Sequence, residues 1–177
     1  MDLLVGTVAL RPYVFAFLAV FVAACVIDLG WRRTLGFSAC IWPVTLGAEL
    51  SSTRTGFPFG FYQYTGLTHG QELFIGDVPF IDSLSFIFLA YSAFCLARVT
   101  LAGRALPWWV MPTTAGVLLL ALDVVIDPLA GRGDPWFLCP LLYYAPAGPY
   151  FWLPSSNFRG VADLCVVGGA ACPGPGE

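Results

Sequence analysis

Four apolar stretches, at about residues 12–29, 34–50, 79–97 and 108–126, constrain this chain more than any other feature. A helix needs roughly 20 mostly apolar residues to cross the hydrocarbon core of a bilayer. The first, third and fourth stretches approach that length, and the second is shorter. Charged residues make up only 11% of the chain against 58% hydrophobic. A soluble domain carries roughly 25% charged residues, so this chain cannot clothe a water-facing surface. Lipid is the solvent that suits it. The expected fold class is all-α: a polytopic transmembrane helix bundle of about four spanning helices, forming one domain over residues 1–167.

Punctuation refines these spans. Arg11 and Pro12 precede the first run, which is long enough to span, so a signal-anchor is expected rather than a cleaved leader. Pro43 predicts a kink in the second span, Pro79 suits the first turn of the third, and Pro128 is expected to end the fourth. Trp31, Trp108, Trp109 and Trp136 fall near the proposed ends, as in an interfacial aromatic belt. After Pro135 the chain reads WFLCPLLYYAPAGPYFWLP, whose prolines argue against a regular helix. Residues 136–153 are expected to form a broken or re-entrant segment, with its backbone satisfied by protein or a cavity. The tail 168–177, GGAACPGPGE, reads as disordered.

All eight basic residues are Arg, and the net charge is −3. They are scattered, and no basic patch invites nucleic acid. Arg32, Arg33, Arg98 and Arg104 fall on one side of the expected topology, and Arg11, Arg54, Arg132 and Arg159 on the other. Weighting short loops slightly favours the first side as cytoplasmic. The six cysteines form no CxxC pair and indicate neither a zinc site nor a disulfide framework. His69, the single histidine, reads as a loop residue rather than a metal ligand. TGFPFG at 55–60 lacks the Gly-Lys-Ser/Thr ending of a phosphate loop. No metal or organic cofactor is expected.

Ionisable groups inside or beside spans are costly and are functional candidates by default. Glu49 ends the second span, Asp77 and Asp82 begin the third, and Asp123 and Asp127 end the fourth. Simple alternation of spans puts all five on one membrane face, with the loops 51–78 and 128–160. Asp123 and Asp127 are four apart and share a helix face. A helix C-terminus disfavours negative charge, which makes Asp123, Asp127 and Glu49 candidates for carrying a proton. The bland alternative for any single acid is a helix end reaching interfacial water.

At these residues a family comes into view. The chain reads GAE at Gly47–Glu49, TGFPFGFYQYT at Thr55–Thr65, DVP at Asp77–Pro79, LDVVIDP at Leu122–Pro128, then Trp136, then YFWLPSSNFRG at Tyr150–Gly160. In that order and spacing the chain resembles the carotenoid 1,2-hydratase family of membrane proteins, which takes in bisanhydrobacterioruberin hydratases and γ-carotene 1′-hydratases. The resemblance covers roughly residues 40–160. It departs from the usual pattern at Val161, where Trp commonly follows the NFxG element, and at Asp82, where an apolar residue is usual.

The resemblance implies cofactor-independent addition of water to the terminal C1=C2 bond of an acyclic carotenoid lying in the bilayer. It makes Asp123, Asp127, Glu49 and Asp77 the candidate catalytic residues. Asp123 or Asp127 is then the expected proton donor, with Glu49 handling water. Arg54, Phe57, Phe59, Tyr62, Tyr64, Trp136, Tyr150 and Asn157 are the candidate substrate-binding residues. The aromatic faces suit a carbocation, and Asn157 and Arg54 suit orienting water or an ionised partner. Two other readings share the same residues: a lycopene-cyclase-like membrane enzyme, and a non-catalytic membrane transporter or assembly protein.

Overall fold

The structure, a computed structural model, describes residues 2–132, 141–144, 156–157 and 159–161. Five helices dominate it: α1 (Leu3–Leu10), α2 (Pro12–Leu29), α3 (Trp31–Thr55), α4 (Phe80–Leu101) and α5 (Val110–Arg132). Between and after them run four short strands: β1 (Tyr62–Tyr64), β2 (Phe74–Ile75), β3 (Val78–Pro79) and β4 (Leu142–Tyr144).

Local chemistry sets most boundaries. Pro12 opens α2 at a position where its missing N–H costs nothing. Gly56, at φ 79°, supplies the left-handed residue that closes α3. Pro79, extended at ψ 129°, caps α4, and Asp82 sits in its first turn, where a helix N-terminus welcomes negative charge. Two expectations fail at C-terminal ends. Pro128 lies inside α5, which continues to Arg132. A proline forfeits one backbone hydrogen bond, but neighbouring groups in a helical membrane bundle can re-satisfy the freed carbonyl. Helix α3 likewise runs six residues beyond Glu49. Asp77 is not in a helix but in the turn between β2 and β3.

Helix α4 is the hub, packing against α2, α3 and α5. One core joins Phe21 and Cys25 of α2, Ile41 of α3, and Ile87 and Tyr91 of α4. A second joins Ala93 of α4 and Leu119 of α5 to Phe59, Tyr62 and Val161. The small Ala93, 1% exposed, lets α4 and α5 approach closely. Polar bonds also cross between helices: Trp42 Nε1 donates to Ser83 Oγ at 3.2 Å, and Thr45 Oγ1 donates to the Ser83 carbonyl at 3.3 Å. Large apolar side chains point outward instead, Val20 at 66% and Ile27 at 86% exposure. That inversion is natural in lipid, where apolar surface needs no cover.

Among the described residues three helices are long and apolar enough to cross a membrane: α2, α4, and α5 over Val110–Pro128. The chain is a helical integral membrane protein. The expected count of four is not established. Helix α3 has ample length at 25 residues, but Arg32, Arg33, Glu49 and Arg54 lower its apolar character. Trp31, Trp108 and Trp109 are more than half exposed near helix ends, where an aromatic belt would lie.

Part of the expected broken segment is a strand. β4 pairs antiparallel with β1 in the register Tyr62↔Tyr144, Gln63↔Tyr143, Tyr64↔Leu142. The rest of 136–153 and the tail 168–177 lie outside the described residues.

Candidate active site

The β1–β4 ribbon sits where the polar ends of α3, α4 and α5 converge. Alternation along a strand sends Tyr62, Tyr64 and Tyr144 inward, while Gln63 and Tyr143 face out and bond to each other at 2.6 Å. The inward tyrosines pack ring to ring, with Tyr62 5.5 Å from Tyr64 and 5.4 Å from Tyr144. Behind them Phe59 stacks on Phe86 at 6.3 Å.

Four carboxylates meet this aromatic layer. Glu49, only 2% exposed, comes from α3. Its Oε2 is buried with no hydrogen-bond partner among the described residues. Asp82, on α4, accepts a 2.5 Å hydrogen bond from the Tyr64 hydroxyl. Asp123 and Asp127, one turn apart on α5, interact directly with each other. Asn157 is 3% exposed, and its Nδ2 donates to Asp123 Oδ2 at 3.3 Å and to Asp127 Oδ2 at 2.5 Å. The Tyr144 hydroxyl in turn donates to Asn157 Oδ1 at 3.0 Å. Asp82 lies within electrostatic reach of Glu49, Asp123 and Asp127. The structure therefore brings these four acids together at one end of the bundle.

The tyrosines in this layer are held as neutral donors. Burial, then the carboxylates of Glu49 and Asp82, pushes the Tyr62 hydroxyl well above its ordinary range. Burial, then Asp82 and Glu49, does the same to Tyr64. Burial, then Asp127, Asp123 and Asp82, raises Tyr144. A phenol that keeps its proton can donate to an ionised carboxylate, which can only accept.

The loop after α3 is tied to the site by close packing. Ser52 Oγ accepts from the Phe59 amide at 3.0 Å. Gly160 lies against the same loop so closely that a Cβ there would stand 2.7 Å from the Pro58 carbonyl oxygen. Two sequence elements about a hundred residues apart, TGFPFGFYQYT and SNFRG, thus meet as one structure.

Not every expected residue reaches the cluster. Asp77 and Arg54 are exposed and pair loosely with each other at 3.8 Å, and neither bonds to the four acids. Phe57 is 74% exposed, whereas Phe59, Tyr62 and Tyr64 line the site. Trp136 and Tyr150 lie outside the described residues. His69 is exposed and stacks on Phe74 at 4.0 Å. The helix-dipole reason for proton-carrying acids weakens, because the effect fades beyond the last turn and Glu49, Asp123 and Asp127 all stand further in.

Sequence reasoning missed two features. Tyr144 was one aromatic among many. Arg11 and Glu72 form a buried two-pronged ion pair, with Nε to Oε2 at 3.0 Å and Nη2 to Oε1 at 2.8 Å. Burial works against the Arg11 guanidinium, but the Glu72 carboxylate outweighs it and holds the cation firmly. The Leu73 amide also donates to Thr7 Oγ1 at 2.8 Å, so α1 and the 68–75 loop are locked together. The available signal was topological: Arg11 and the 51–78 loop share a membrane side.

Fold and site together define a helical integral membrane protein with acids and tyrosines gathered at one end of its bundle. The family model described as carotenoid biosynthesis protein matches residues 8–168, and the chain belongs to that family. It is 32% identical over 114 residues to the bisanhydrobacterioruberin hydratase of Haloarcula japonica. That match covers 64% of this chain and 36% of the relative, so the chain spans well under half of the relative's length. No solved structure matches the chain.

Proposed function

We propose that this protein hydrates the terminal C1=C2 double bond of an acyclic carotenoid end group, without a cofactor, in a bacterial or archaeal cell membrane. The observation that carries this reading is the meeting of Glu49, Asp82, Asp123 and Asp127 with three inward tyrosines and Asn157 at one end of an apolar bundle. A carotenoid lying in the bilayer can bring its end group to that face sideways, between helices.

The chemistry needs an acid, a shielded cation and a base. The Asp123–Asp127 pair delivers a proton to C2. The C1=C2 π bond breaks, a C2–H bond forms, and a tertiary cation is left at C1. The faces of Tyr62, Tyr64 and Phe59 stabilise that cation. Water held at Glu49 attacks C1, a C1–O bond forms, and Glu49 takes the released proton. Among the described residues Glu49 Oε2 is buried with no partner, which supports hydration over cyclisation, because a buried polar atom of that kind calls for a water. One proton leaves the aspartate pair and one arrives at Glu49; its return from Glu49 to the pair resets the site, so only water is consumed.

The test is expression of the chain in lycopene-producing cells, with carotenoids analysed by mass in ¹⁸O-labelled water. A hydroxylated product one water heavier, carrying the label, is expected. A cyclised product of unchanged mass, or a hydroxylated product without the label, overturns the proposal.

A further inference from the structure

Asn157 has to satisfy three groups at once, and one of them decides which way its amide points. Asp123 and Asp127 each accept from its Nδ2 through Oδ2. If the amide turned over, its oxygen would face the two carboxyl groups and repel them. Its Oδ1 instead accepts from Tyr144 at 3.0 Å, while Nδ2 serves both aspartates. The Tyr144 hydroxyl keeps its proton among these carboxylates, as described above, so it remains a donor. Its place is set by the strand pair: Tyr144 lies opposite Tyr62 on the inner face of the β1–β4 ribbon.

We propose that Tyr144 is a positioning residue that acts through Asn157. By occupying Oδ1 it locks both amide hydrogens onto the Asp123–Asp127 pair. Two carboxyl groups that bond to each other share one proton. When that proton leaves, the pair gains negative charge, and the two amide hydrogens are already aimed at it. Such preorganised donors stabilise developing charge without reorganising during the reaction. The rate consequence rests on the hydratase reading, but the orienting role rests on the hydrogen-bond geometry and does not need that reading.

The experiment uses the full chain in lipid nanodiscs and reads two signals. The first is the infrared carbonyl band of the protonated aspartate pair, identified as the band lost in Asp123→Asn and Asp127→Asn. Tyr144→Phe should shift this band. Tyr143→Phe, which removes a hydroxyl from the outer face of the same strand, should leave it in place. The second signal is hydration of lycopene. Tyr144→Phe should lower kcat about three- to ten-fold, the worth of one hydrogen bond, with KM unchanged. In an Asn157→Ala background the same substitution should have no further effect.

A band that Tyr144→Phe leaves unmoved, or losses that simply add in the double variant, would overturn the proposal. A shifted band in a protein that hydrates no carotenoid would uphold the positioning role and reject the hydratase reading. The two failures are therefore separable.

Discussion

Replacing Glu72 by Gln should destabilise the protein more than any other single change at an ion pair. Arg11 and Glu72 have side chains 3% and 0% exposed, and an arginine cannot shed its charge when it loses its partner. With charge centres about 4 Å apart and an effective dielectric constant near 20, their attraction is worth about 4 kcal/mol. The substituted amide can still accept one of the two hydrogen bonds, which restores about 1 kcal/mol. The expected loss of about 3 kcal/mol agrees with the range of roughly 3–5 kcal/mol for breaking a buried pair. For a chain of this size that lowers Tm by about 6–12 °C.

The assay follows from the cysteines: Cys25 is a free thiol at 0% exposure, so a thiol-reactive fluorophore reports its unmasking on heating. Two comparisons sharpen it. Arg54→Gln breaks an exposed pair and should cost less than about 1 kcal/mol. The double change Arg11→Met with Glu72→Leu removes both charges and should recover most of the stability. An unchanged melting curve for Glu72→Gln would refute the reasoning, as would a double variant as unstable as the single.

Gly160→Ala should cost about 1–3 kcal/mol through overpacking, because the added methyl meets the Pro58 carbonyl and the Phe59 ring. Thermal unfolding measures it, and a neutral result would show that the 57–59 loop yields. Topology can be checked with thiol labelling of cysteines placed at Thr55 and Gly76 and at Trp31 and Gly103. The first two should react from one side of the membrane and the last two from the other. Labelling of Thr55→Cys and Gly76→Cys from opposite sides would reject the bundle's arrangement.

Much of the bundle is written in hydropathy. The span expected at about 12–29 is helix α2 within a residue, and those at 79–97 and 108–126 fall on α4 and α5. Hydropathy sees only lipid-facing segments, so it stops where polarity begins. Helix α3 runs on past Glu49 through Ser51, Ser52 and Thr53 until Gly56 turns the chain. That extension undoes the terminal placement of Glu49 and with it the dipole argument. The strand pairing of 62–64 with 142–144 spans eighty residues in three-residue pieces, too short for any periodicity to reveal. Asn157 stood out only through the resemblance at NFRG, and its place between two aspartates depends on chain closure across the whole domain. Tyr144 was hidden because only pairing tells which of Tyr143 and Tyr144 faces in.

The central claim is that carboxyl groups of this chain carry the proton that starts hydration. It is tested most directly by measuring lycopene hydration in Asp123→Asn, Asp127→Asn and Glu49→Gln, each checked for membrane insertion and thermal stability. These amides keep shape but cannot supply or accept the proton, and losing a general acid or base typically slows a reaction by roughly 10²–10⁴-fold. The account predicts losses of that size at Glu49 and at one or both aspartates. Three stable variants that hydrate lycopene at near wild-type rates would contradict it.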